Sequence, residues 1–219
     1  MSHITDHEHA GEYDFEPVPG LPEELPDGET LIWQGAPTWR AVALHVLHVR
    51  KLAIYFAVML TLRLVWLAGE GRLQFGELSG TANLALAALF ALGLLLFLAR
   101  LIAKTTLYTI TSRRVVMRIG VALPMTLNLP FIKLKSADLR VNSDGTGDII
   151  MQLGRNERLS YVVLWPHLKM RRVLNAKPAL RSLADPVTAA RHFSQAIAAS
   201  SQDVALADTP IDTDRAMVA

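Results

Sequence analysis

Residues 52–102 read LAIYFAVMLTLRLVWLAGEGRLQFGELSGTANLALAALFALGLLLFLARLI, and this stretch decides the fold. Two apolar runs, 52–68 and 83–102, flank a polar stretch holding Gly69, Gly71, Gly76 and Gly80. At about 1.5 Å of helical rise per residue the first run gives roughly 25 Å and the second roughly 30 Å, enough to cross a bilayer core. The pattern predicts a transmembrane helical hairpin over residues 52–102 with its loop at 69–81. Tyr55 and Trp66 suit the two interfaces. Arg63 lies inside the first run, about 7 Å from its far end at helical rise. It either snorkels to the interface or meets a partner carboxylate. Ala87 and Ala91, four residues apart and with Gly93 nearby, would let another helix approach closely.

Charge is segregated around this hairpin. Residues 1–39 hold nine acids and no Lys or Arg, whereas residues 104–200 hold fifteen Lys and Arg against five acids. Arg40, Arg50 and Lys51 precede the hairpin, and Arg100, Lys104, Arg113 and Arg114 flank its end. Arg72 stands in the loop between the runs, apart from Arg63. The Lys/Arg excess predicts a multi-pass protein of the bacterial inner membrane with both termini cytoplasmic. The start, MSHITDHEHAGEYDFEPVPG, lacks the basic end and apolar core of a signal peptide. Residues 1–30 are therefore expected to be a disordered acidic tail. His3, His7 and His9 either hold a metal loosely or belong to a solvated tail. Residues 31–51 are expected to form a membrane-flanking segment and helix, with LIWQGAP (31–37) lying on the folded body or on the membrane surface. His45 and His48 share one helical face, as interfacial polar residues or as ligands for a chlorophyll magnesium.

Beyond Lys104 the period changes. Short runs rich in β-branched residues at 106–111, 114–121, 125–132, 147–153 and 159–164 predict strands. Residues 111–113 suit a tight hairpin, and Asp144-Gly145 is the strongest turn signal. Asp185 can cap a closing helix with Pro186 at its first position. Val187, Ala190, Phe193 and Ile197 then fall on one face. The fold expected for 104–200 is a small antiparallel barrel or sandwich whose open end is closed by this amphipathic helix. The whole is an α+β membrane protein. Lys169, Arg171, Arg172, Lys177 and Arg181 form a basic stretch, and 201–219 is expected to be a second disordered tail.

Residues 108–152, YTITSRRVVMRIGVALPMTLNLPFIKLKSADLRVNSDGTGDIIMQ, resemble the bacterial pleckstrin-homology-like domain of membrane proteins. The resemblance places strands at 108–111, 114–120, 127–131, 132–141 and 147–150, after two membrane spans. The flanks LPDGETLIWQGAPTWRAVALHV (25–46), LWPHLKMRR (164–172) and KPALRSLADPVTAARHF (177–193) resemble the PuhB family of photosynthetic-complex assembly proteins of purple bacteria. That likeness implies a helper in building the reaction centre with its core light-harvesting complex, in the intracytoplasmic part of the inner membrane. It supplies no catalytic residue.

The residues themselves show no phosphate-binding loop, nucleophile elbow or zinc-protease motif. With no cysteine, disulfides, thiol catalysis and thiolate metal sites are excluded. The expectation is a non-enzyme without cofactor or metal. Its contact residues would be Arg63, Ala87, Ala91 and Gly93 in the spans and Arg113, Arg114, Lys169, Arg171 and Arg172 in the basic body. The partners would be reaction-centre and core light-harvesting subunits, with membrane lipid around the spans and no nucleic acid; self-association stays open. The alternative is a module that binds anionic lipid head groups, each Lys or Arg near such a surface contributing about 1 kcal/mol.

Overall fold

The computed structural model describes residues 21, 24–121, 125–154, 168–169 and 177–207. Strand β1 (Leu31–Gly35) leads into a short helix α1 (Trp39–Ala41) that continues as a π-helical turn (Val42–Val46). Helices α2 (Val49–Gly69) and α3 (Phe75–Thr105) follow. The chain then forms β2 (Leu107–Thr111), β3 (Arg114–Ile119), β4 (Met125–Pro130), β5 (Leu134–Val141), β6 (Gly147–Leu153), β7 (Leu168–Lys169) and β8 (Lys177–Leu183). Helix α4 (Pro186–Ala207) completes it.

The strands make two four-stranded antiparallel sheets, ordered β1-β2-β3-β4 and β5-β6-β8-β7. They face each other as a sandwich and do not close into a barrel. Between them lies a core of Tyr108, Ile110, Met117, Ile149, Met151 and Leu180, all within 1% of complete burial. Helix α4 closes one end, as its pattern predicts. Asp185 Oδ1 accepts the Thr188 N–H at 3.0 Å, and hydrogen bonds from the Thr188 side chain and then its backbone hold the Asp185 carboxyl below the ordinary carboxylate range. The face that α4 buries is Ala189, Phe193 and Ala196, with Phe193 edge-on to Phe131 at 5.9 Å. Val187, expected on that face, points outward at 49% exposure, because Pro186 takes the inward position of the first turn.

Several expectations are corrected. LIWQG lies on the folded body, the first of its two readings, but as a sheet strand of that body and not as a separate membrane-flanking segment: β1 pairs with β2, Gln34 opposite Thr109 and Gly35 opposite Tyr108. The helical hairpin is thus inserted between two neighbouring strands of one sheet, and the strand body begins before residue 104. The disordered tail expected over residues 1–30 is too long, since Leu21 is 3% exposed and Glu29 8%. The second tail starts too early at 201, since α4 runs to Ala207. Residues 177–183, read as a basic stretch, form β8 between β6 and β7. Finally, α3 begins at Phe75, so most of the expected loop is helix. Glycines 76 and 80 weaken a helix, by about 1 kcal/mol each. Glu77, in the first turn, counters this by its favourable place on the helix dipole and by the two arginines it binds. The strand expected at 159–164 lies outside the described residues.

One glycine is sterically required. A β-carbon on Gly147 would collide with the Arg140 carbonyl and the Pro186 ring, so the β5–β6 turn can dock on the start of α4 only with glycine there.

Candidate functional site

Helices α2 and α3 are apolar on nearly every side and stay outside the body's core. Of their most apolar 18-residue windows, 6% and 17% are buried, so neither is the core helix of a water-soluble domain. Both are long and apolar enough to cross a membrane. The buried side of α3 carries Thr81 and Ala88 along the hairpin and, at its base, Ala99 and Ile102 against the turn at 42–46. Thr81 and Ala88 stand seven residues apart, the repeat of packed helix pairs. The small pair predicted to receive another helix is divided by this buried side: Ala91 is half-buried, while Ala87 and Gly93 remain exposed. No atom lies within 4 Å of where a Gly93 β-carbon would stand, so the backbone is open to a neighbour there.

Near the hairpin's far end, Arg63 finds a partner carboxylate, the second of its two sequence readings. Its Nε donates to Thr81 Oγ1 at 3.0 Å and a terminal nitrogen donates to Glu77 at 3.4 Å. Arg72 donates to the other Glu77 oxygen at 2.7 Å and lies over the Trp66 ring, 5.6 Å from its centroid. One carboxylate thereby ties two arginines from α2 and the connection to α3. Sequence reading missed Glu77 because it was placed in a loop; its position four residues before Thr81 on the same helix was the available signal.

The near end is built differently. Arg40, Arg50, Lys51, Arg100 and Lys104 are all exposed there, and residues 30–69 contain no acid to oppose them. Trp39 lies under two of these cations, the Arg100 guanidinium 4.0 Å and the Arg40 guanidinium 5.5 Å from its ring centroid. The belt is held to the body by short contacts. Thr38 donates both its N–H and its hydroxyl to the Ser182 carbonyl, at 2.8 and 3.1 Å. Val42 and Ala43 pack on Ala99 and Ile102 at the base of α3. His48 takes a left-handed backbone, φ 54°, where the chain turns into α2. His45 Nε2 lies 2.7 Å from Asp144 Oδ2 on the β5–β6 turn. The Thr146 hydrogen bonds and this imidazole hold the Asp144 carboxyl down at about 2.

The predicted basic contact residues of the body are not alike. Arg114 is committed inward: Nε and a terminal nitrogen donate to the two Glu29 oxygens at 2.8 and 2.9 Å, and the Glu29 side chain is only 3% exposed. It fastens the segment before β1 to the β2–β3 turn and is not available to a partner. Arg113, its neighbour, is exposed at that turn. Arg171 and Arg172, His167, the Lys169 side chain and the histidines 3, 7 and 9 lie outside the described residues. Among the described residues no group of three or more His, Asp or Glu could hold a metal ion.

The bacterial PH domain family matches this chain over residues 47–196. A protein of Rhodobacter capsulatus, named as an uncharacterized 23.7 kDa protein in the puhA 5' region, is 33% identical over 210 residues, which are 94% of this chain and 95% of that one. No solved structure matches.

Proposed function

The chain belongs to the bacterial PH domain family, and on that premise we propose that it is a membrane-anchored, non-enzymatic assembly factor for the photosynthetic reaction centre and its core light-harvesting complex. The observation that carries the reading is its relative over almost the full length, whose gene lies beside the photosynthesis gene puhA. The geometry supplies the means. The hairpin spans the inner membrane with its cationic belt at the cytoplasmic face, where Lys and Arg accumulate. Both ends of the hairpin return to paired strands, so the sandwich and both termini share that side. The outward faces around Ala87 and Gly93 pack with helices of the pigment-protein subunits. The basic sandwich, with Arg113 exposed and Arg171 and Arg172 in its sequence, docks to an acidic cytoplasmic face of the same assembly. It does not become a pigment-binding subunit of that assembly and takes no nucleic acid.

Deleting the gene is expected to lower reaction-centre and core-antenna levels while free bacteriochlorophyll synthesis continues. Unchanged core-complex yield would refute the assembly role. A tagged copy retrieved in mild detergent should bring those subunits with it. The cationic belt over Trp39 favours a second reading, a module for anionic lipid head groups. Retrieval of lipid alone, together with normal core-complex yield, would select that reading.

A further inference from the structure

Among the described residues strand β5 is the edge of its sheet; it pairs with β6 and has no described strand on its other side. Ala137 stands opposite Met151 and Leu139 opposite Ile149, so both side chains belong to the core face. They are nevertheless exposed, Leu139 at 45%, and no described strand covers them beyond the edge. Between this edge and α4 runs a groove of about 470 Å³. Its lining includes four consecutive residues of chain, Leu134 to Ala137, so it opens along the strand edge and not on one face alone. The wall on α4 carries Ala190, Ser194 and Ala198, one small residue per helical turn, with Phe193 and Phe131 at its floor. This is the shape that receives an added strand: unpaired backbone on one side and shallow apolar space on the other.

We propose that the groove is occupied by this chain's own residues 12–16, Glu-Tyr-Asp-Phe-Glu, added as a strand along β5. The segment alternates acid and aromatic without exception. In an extended chain Tyr13 and Phe15 therefore share one face and Glu12, Asp14 and Glu16 the other. The aromatic face fills the groove over Leu139. The acidic face meets the solvent side, where β5 carries Arg140, and Lys135 at the β5 bulge lines the groove itself. The single acid there, Asp138, is already turned to Gln152, whose amide donates to it at 3.1 Å. Reach is ample. Glu29 is fixed to Arg114, Thr30 accepts the Ser112 N–H, and the Phe131 N–H at the groove's end donates to Arg113, all at one corner of the body. The fourteen residues from Phe15 to Glu29 extend to about 46 Å, against roughly 20 Å of groove. The strap goes beyond the assembly reading and does not depend on it.

Residue-resolved hydrogen exchange on the full chain in detergent tests the strap. The alternate amides of β5 that β6 leaves unbound, between Ser136 and Val141, should exchange at least about tenfold more slowly in the natural chain than in a Tyr13→Ser/Phe15→Ser variant. A synthetic peptide of residues 8–20 should restore the protection to that variant. Equal exchange in both chains overturns the proposal. The absence of cysteine allows a second measurement. Phe15→Cys with Ser194→Cys should form a disulfide within one chain, mapped by mass spectrometry. No disulfide, or one only between two chains, overturns the intramolecular assignment, and the second result gives the groove to another copy.

Discussion

The helical hairpin and the sandwich are both apolar, yet they turn that property in opposite directions. In the sandwich Tyr108, Met117, Met151 and Leu180 are completely buried. In the hairpin Leu86, Leu89 and Phe90 are 66–73% exposed. Charges divide the same way. The sandwich encloses Glu29 and neutralises it with Arg114, while the hairpin keeps its cations at its two ends. Composition alone therefore does not say where an apolar residue goes. What each apolar face meets decides it: β2, β3, β6 and β8 are buried along most of their length, whereas α2 and α3 show almost no apolar–polar asymmetry around the helix and bury few residues.

The largest expected effect comes from breaking the enclosed pair. Arg114→Met leaves the Glu29 carboxylate buried without a partner and should destabilise the sandwich by about 4 kcal/mol, seen as a lowered unfolding midpoint in detergent. Adding Glu29→Gln to that variant should recover much of the loss. No recovery would show that Arg114 acts by its packing.

A paired substitution tests the contrast itself. Leu180→Ala should cost about 3 kcal/mol of sandwich stability, whereas Leu86→Ala should change it by less than about 0.5 kcal/mol. Equal losses would mean that the hairpin is part of the same core. Conversely, Leu89→Asp should reduce the fraction retained in washed membranes, since a central Asp opposes insertion by about 3 kcal/mol.

Arg63→Lys probes the hairpin's own polar contact. A single ammonium group cannot reproduce two guanidinium donors aimed at Thr81 and Glu77. The α2–α3 pair should lose about 1 kcal/mol, measured by thermal melting in detergent, with the sandwich unaffected. An unchanged melt would return Arg63 to the snorkelling role.

The smallest effect lies where the two regions touch. Asp144 is held down at about 2, so its contacts with Thr146 and His45 stabilise the turn above the ordinary carboxylate value near 4 and are lost as pH falls through about 2. A carboxyl-carbon titration should give that low midpoint. A midpoint near 4 would remove Asp144 as a link between sandwich and hairpin base.

The two long apolar helices, both turns and the capped final helix were legible because each is specified by neighbours in sequence. Asp185 and Pro186 announce α4, and Asp144-Gly145 announces the β5–β6 turn. What escaped depends on distant partners. LIWQG becomes a strand only through β2, on the other side of the whole hairpin. KPALRSL, with Pro178 and two cations, reads poorly as a strand, and its place beside β6 decides it. Arg114 reads as surface charge until Glu29 is brought from 85 residues away. The β5 groove has no signature of its own, since it is the space left between a sheet edge and a helix.

The insertion of the hairpin between β1 and β2 also sets an order for biogenesis. Seventy-one residues, both spans among them, separate Gly35 from Leu107. At about 5–20 residues per second β1 waits roughly 4–14 s on the ribosome for the strand it must pair with. By then both apolar helices of the hairpin have been made. Pairing of β1 with β2 therefore closes the sheet around an already synthesised insertion, and the fate of the two apolar helices is decided while β1 still lacks its neighbour.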